Sequence, residues 1–344
     1  MVRLTRAQTQ ERTRSGVLAA ARAEFAAHGY RDATIDGIAA RAGLTRGAVY
    51  ANFAGKRSLY LSVLAADAER AARSGDDAVD VRSPQEALAA IARVRLSGAE
   101  IPAEVLDDDR IRTAHAQLLT LEALVLGLAL ERLGRRGRGV RVAVAALTLL
   151  AGAGRLAAGA PGFADPFDVV AACELLAGLP PDRGGPRPHL AHVASARLVD
   201  EPWPDETWPD GPAPPDGVVH VLGPLRLEAA EESVRAAPAG TGVTVALVTG
   251  TPDDLAPLTR LVLARLDGTL RRAIPGPARP PLRLLHGPEA ARLAAAAGVA
   301  DHADDTEAAV RVAAGRIVAR ASGRGAGHAA ATAAVTRDAA RRPA

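Results

Sequence analysis

Apolar side chains recur every three or four positions through much of residues 10–180, and at alternate positions in short runs beyond residue 217. The first period buries one stripe of a helix, and alternation buries one face of a strand. The chain therefore reads as an all-α part followed by an α/β part. Val17, Leu18, Ala21 and Phe25 form the apolar face of a helix over about residues 10–28, closed by Gly29. Thr34 then opens a second helix, because its hydroxyl can accept a bond from a free first-turn N–H. Ile35, Ile38 and Ala39 are its buried face, and Gly43 stands where a left-handed residue ends it. Thr45 caps a third helix in which Val49 and Phe53 face inward, leaving Arg46, Gly47, Tyr50 and Ala51 outward. Two short helices around a glycine-containing turn are the skeleton of a helix-turn-helix.

Further helices are expected over about residues 56–74, 84–96, 111–133, 140–158 and 166–179, with a short one opened by Pro102. The GRRGRG stretch at 134–139 reads as a loop. The apolar run 142–154 is too short to cross a bilayer and reads as a buried helix, so no membrane partner is expected. From residue 180 the chain runs through PPDRGGPRP and later EPWPDETWPDGPAPPDG, which resist helix and sheet and read as a linker. Trp203 and Trp208 can pin that linker to a domain surface. Beyond it, strands at 218–222, 243–250 and 282–286 alternate with helices, two of them near 253–266 and 288–297. Residues 308–323 read as a hairpin around Ala314-Gly315, followed by a helix over about 326–337.

Charge adds a direction to this plan. The whole chain has a net charge of +3, but its first sixty residues carry ten basic and four acidic side chains, a net +6. Positive charge gathered on the helix-turn-helix end is what phosphate binding requires. Arginine far outnumbers lysine, as a GC-rich coding bias produces, so arginine content alone says little. Residues 1–9 are a basic, polar arm that can reach a neighbouring groove or phosphate. Cys173 is the only cysteine, which leaves no internal disulfide, CxxC redox motif or multi-cysteine metal site. That usage, with no apolar secretory segment at the start, points to a cytoplasmic protein.

The stretch GLTRGAVYANFAGKRSLYLSVL, with Tyr50, Phe53 and Lys56, resembles the recognition-helix signature of the TetR family of transcriptional regulators. Ala21, Phe25, Gly29 and Tyr30 match the end of that family's first helix, and the likeness covers about residues 10–64. It implies DNA-binding residues on the outward positions. Arg46 is the candidate to pair with guanine O6 and N7, with Thr45, Gly47 and Ala48 beside it. Ala51 offers a methyl contact, for instance to thymine. Tyr50, Asn52 and Lys56 are candidates to hold phosphates, as is Thr34 with its helix N-terminus. The resemblance further implies a homodimer on a palindromic operator, whose helical part encloses a small-molecule effector. His115, Glu122 and Arg155 are candidate polar residues of that pocket, but the sequence assigns no effector.

The expected organisation is a DNA-binding domain (1–57), a helical effector and dimerisation domain (58–180), the linker (181–216), an α/β domain (217–338) and a tail (339–344). The β-α-β-α-β-α-β-β-α order of the fourth segment resembles a thioredoxin-like fold. Its first loop, GPLRLEAAEE, has no cysteine, and Thr306 stands where that family carries a proline before the hairpin. Thiol redox catalysis is thereby excluded. The Gly323-x-Gly325-x-Gly327 run lacks a P-loop lysine and reads as a plain loop. The reading is a non-enzymatic regulator that needs no cofactor, most often a ligand-released repressor. The alternative is a DNA-binding front end fused to an enzyme or a protein-interaction module in 217–338, and no nucleophile or metal constellation supports catalysis there.

Overall fold

The computed structural model describes residues 5–74, 80–98, 100–180, 194–204 and 216–333. Helix α1 (Arg6–Asp32) begins in a capping box: Gln8 N–H donates to Thr5 Oγ1 and Thr5 N–H donates to Gln8 Oε1. The polar arm expected over 1–9 is thus already helical from Arg6, and residues 1–4 lie outside the described residues. Gly29 has φ 68 and breaks the helical run where expected. Helices α2 (Ile35–Ala42) and α3 (Arg46–Tyr50) follow, then α4 (Lys56–Arg73). Val17, Phe25, Ile38, Val49, Phe53 and Leu59 close one small core, the head of the molecule.

Helix α4 leads into the helical body: α5 (Pro84–Leu96), α6 (Asp109–Arg132), α7 (Gly139–Gly159) and α8 (Pro166–Leu176). Helices α6 and α7 form a close hairpin at Gly127 and Gly139. A Cβ on Gly127 would stand 2.3 Å from the backbone nitrogen of Val140, so only glycine permits this approach. Both helices are long and apolar enough to cross a membrane by length and composition. Most of α6 is buried in this body, whereas α7 exposes Val144 and Leu156. Two arginines of the GRRGRG loop are held internally: Arg135 donates to the Leu179 carbonyl, and Arg138 pairs with Glu231.

The remaining strands form one six-stranded sheet: β1 (Arg197–Pro202), β2 (Gly217–Leu222), β3 (Gly242–Leu247), β4 (Leu282–His286), β5 (Glu307–Ala313) and β6 (Arg316–Ser322). Their order is β1-β6-β5-β2-β3-β4. β2, β3 and β4 run parallel, and the other pairs are antiparallel. Period-two patterning explains its two faces. Val218 and Leu222 point into the core shared with the helical body, together with α9 (Ala230–Ala236) and α12 (Ala326–Thr332). Val219 and Val221 point to the opposite core with α11 (Gly287–Ala296) and Trp203. The hairpin turn uses positive φ at Ala314 (48) and Gly315 (71), which suits a tight turn between antiparallel strands. The expected strand and helix order is present.

Two expectations need correction. The segment read as a linker contains β1, which pairs with β6, and Trp203 is buried with its backbone N–H donated to Gly315 O. A strand here is hidden in the sequence because the apolar Leu198 and Val199 are adjacent, so they fall on opposite faces and no alternation shows. Trp208 lies outside the described residues. The helical and α/β parts, set out above as separate domains, also meet along a broad seam. Helix α10 (Pro252–Ala273) packs on α4, α5 and α6, and one continuous core joins the two parts. Arg235 forks onto Glu131 at 2.6 Å through both terminal nitrogens, a bidentate pair across the same boundary. The final helix ends at Thr332, and residues beyond 333 lie outside the described residues.

Two histidines make stability depend on pH. Burial, and then Arg226, hold His220 of β2 down to about 3, while its Nδ1 meets Ser233 Oγ at 2.9 Å. Burial, then Arg265, Arg95 and Arg155, hold His115 of α6 down to about 4. Both rings protonate near their ordinary value when unfolded, so their contribution is full above about pH 6.5 and falls as pH drops towards 4. A His115→Gln variant is expected to lose less Tm than the parent between pH 7 and pH 5. Equal losses would show that His115 does not carry this term.

Candidate nucleic-acid interface

The head is built by local capping. Thr34 Oγ1 accepts from Gly37 N–H at 3.0 Å and Thr45 Oγ1 from Ala48 N–H at 3.3 Å, so each helix start is fixed by its own threonine. Gly43, at φ 65, sends its N–H back to the Ala39 and Ala40 carbonyls and ends α2. The turn is therefore rigid and places α3 across α2.

On α3, Thr45, Arg46, Gly47, Tyr50 and Ala51 share one exposed face, while Val49 is buried. The spacing i, i+1, i+4, i+5 from Arg46 produces that face. Ala48 is half-buried at its edge. The Arg46 guanidinium lies 5.5 Å from the Tyr50 ring centroid, within 3.4 Å of its hydroxyl and 3.5 Å of Asp36 Oδ2. The Tyr50 hydrogen bond first, and Asp36 after it, raise the pKa of Arg46 above its usual value. Asp36 is thus a counter-ion of Arg46.

Two predicted contact residues are turned partly inward. Asn52 Nδ2 donates to Ala48 O at 2.9 Å, which closes the end of α3. Lys56 Nζ donates to Arg31 O at 2.8 Å and stands 4.9 Å over the Tyr30 ring. An ammonium has three donors, so Lys56 can hold that carbonyl and still meet a phosphate.

Sequence reasoning missed the residues that hold this face in place. Arg14 Nη1 donates to Asn52 O at 2.9 Å, with its guanidinium 4.4 Å over Phe53. Its signal was present: Arg14 extends the stripe of Val17 and Ala21 by one helical step. Glu24 is buried and accepts from Arg41 Nε at 2.6 Å. That bond outweighs desolvation and keeps the Glu24 carboxyl below its usual range. No local pattern marks a pair seventeen residues apart. Phe25, Tyr30 and Tyr60 form an aromatic cluster, with Phe25 and Tyr60 edge-on at 4.9 Å, which ties α1 to α4.

The candidate effector residues stand apart from this face. Glu122 is 1% exposed on α6 and its Oε1 lies 3.2 Å from Arg95 Nη1. Burial raises its pKa, against Arg95 and Arg265. His115 lies two turns earlier on α6, half-buried, whereas Arg155 is exposed on α7. Among the described residues, no group of three or more His, Cys, Asp and Glu is placed to hold a metal ion.

Comparison with known proteins agrees with the head's geometry. The model of the family described as bacterial regulatory proteins, tetR family, matches residues 17–63. The chain is 49% identical over 65 residues to the HTH-type transcriptional regulator SrpR of Pseudomonas putida. It is also 49% identical over 65 residues to the uncharacterized HTH-type transcriptional regulator TtgW of the same species. Each match covers 19% of this chain, and the chain spans 30% of the first relative and 48% of the second. Residues 17–63 thus match the N-terminal DNA-binding domain of the tetR family.

Proposed function

We propose that the protein is a ligand-responsive repressor that binds a near-palindromic operator as a homodimer. The observation that carries this reading is the exposed α3 face: Arg46, Gly47, Tyr50 and Ala51 stand clear of the core on a rigidly capped turn. Arg46 reads a guanine, exchanging Asp36 and Tyr50 for base acceptors. Lys56, Tyr50 and Thr34 hold phosphates, which fixes register without reading sequence. The second copy docks on α7, α8 and the turn between them, where Phe163, Phe167 and Leu175 are 73%, 84% and 78% exposed. Two heads related by a two-fold axis require an operator of matching symmetry. An effector acts by favouring a dimer whose heads are wrongly spaced, so its differential affinity sets the loss of DNA binding. No catalytic role is assigned to residues 217–338.

Variants separate the two contact classes. Arg46→Ala is expected to weaken the selected site roughly ten- to a hundredfold and to relax base preference at one position. Lys56→Ala is expected to weaken all duplexes alike and to lower the salt slope by about one. Binding measured over a salt series checks both, and the opposite pattern would reverse the assigned roles.

A further inference from the structure

Helix α4 is a beam with two faces. Leu59 and Val63 belong to the core of the head, while Leu61 and Ala65 belong to the core of the body. The α/β part covers the second face. Its helix α10 runs parallel to α4 and is attached along its length. At the top, Ser58 Oγ donates to the Asp253 carbonyl at 2.6 Å, and Arg57 bridges Asp107 at 2.6 Å and Asp254 at 3.6 Å. In the middle, Arg260 forks onto Glu69 at 2.9 and 3.1 Å, with both side chains about one-third exposed (33% and 28%). At the bottom, a Cβ on Gly268 would lie 3.4 Å from Cβ of Ala72, so the two backbones pass closely. Leu258, Leu261 and Val262 fill the space between.

Helix α10 is itself fixed at its start. Asp304, 4% exposed, accepts from Thr249 Oγ1 at 2.6 Å, Gly250 N–H at 3.0 Å and Thr251 Oγ1 at 2.8 Å, and it pairs with Arg110 of α6. The loop that launches α10 is therefore latched to the body. The first turn of α4, three residues beyond the head's Phe53, is gripped between the first turn of α10 and Asp107.

We propose that the α/β part is a splint: through α10 it fixes the tilt of α4, and so sets where the DNA-reading head stands. This rests on the reading of the head as a DNA-binding domain and gives residues 217–338 their role in it. A side chain in the α/β part, far in sequence from α3, then controls DNA binding. Its position makes Arg260 a positioning residue with no contact to DNA.

The test uses the full chain, a duplex selected from a random pool, and three proteins: the parent, Arg260→Glu, and Glu69→Arg/Arg260→Glu. In Arg260→Glu, two carboxylates face each other on the seam. Its affinity is expected to fall about tenfold and its preferred half-site spacing to change, a scale ordinary for coupling between sites. The double variant restores the ion pair and is expected to recover both. Hydrogen exchange reads the same seam without DNA: α4 amides exchange faster in Arg260→Glu and return to the parent rate in the double variant. A further protein, Ala72→Cys/Gly268→Cys, staples the seam when oxidised and is expected to bind the duplex with parental affinity. If the parent selects no duplex, the DNA-binding reading fails, and exchange still decides the splint. The splint is overturned if Arg260→Glu keeps parental exchange in α4, or binds the selected duplex with parental affinity and spacing. Failure of the double variant to recover also overturns it.

Discussion

A chain ending near Pro204 is expected to lose its cooperative fold, and not merely its last part. The truncation removes α10, whose Leu255, Leu258, Leu261, Val262 and Leu266 are buried against α4, α5 and α6. A fully buried side chain of this size contributes about 1.5–3 kcal/mol. Five of them match the whole net stability of a typical domain, about 5–15 kcal/mol. Their removal also bares Leu61 and Ala65 of α4 and leaves Glu69 and Glu131 without Arg260 and Arg235. The exposed apolar surface favours aggregation. Thermal unfolding followed by circular dichroism, with size-exclusion chromatography, decides the point. A soluble truncated protein with a sharp transition would mean that the body closes on itself without α10.

The second large effect is expected at Gly37, inside the helix-turn-helix. A Cβ there would stand 2.4 Å from Glu24 Oε1, 2.9 Å from its carboxyl carbon and 3.1 Å from Thr34 Oγ1. Glu24 has little freedom to retreat, because it is buried and held by Arg41. Gly37→Ala therefore displaces α2 or breaks the Glu24–Arg41 pair, and overpacking of this kind costs about 1–3 kcal/mol. The Thr34 cap of α2 is disturbed by the same contact. DNA affinity is expected to fall with head stability, while the body retains its Tm. Differential hydrogen exchange of α1–α3 against α6 measures this. Unchanged exchange in α2 would show that Glu24 relaxes freely.

The head was legible because its signals are local. Thr34, Gly43 and Thr45 are close neighbours in sequence, and each fixes backbone groups in its own turn. Outward and inward positions on α3 follow from the 3.6 period, so Arg46 and Val49 were separable by spacing alone. The inward turn at Asn52 and Lys56 was not legible. Arg14, which holds the Asn52 carbonyl, and the Arg31 carbonyl, which holds Lys56, are placed by how α1 crosses the turn. The order of strands and helices in the α/β part was also readable, since alternation and turn residues are local. Its union with the body was not. The pattern of α10 shows which residues are buried but not that their partners lie on α4, some 190 residues earlier. The Pro/Gly-rich composition around residue 200 pointed to separation, although β1 lies within that stretch.

Sequence-specific duplex binding is the property expected of the α3 face. It is tested most directly by presenting the purified full chain with a random pool of duplexes at physiological salt and measuring affinity for the enriched and scrambled sequences. A near-palindrome is expected to be enriched, occupied by two chains and bound about a thousandfold or more tighter than the scrambled duplex. Equal affinity for enriched and scrambled duplexes would contradict it.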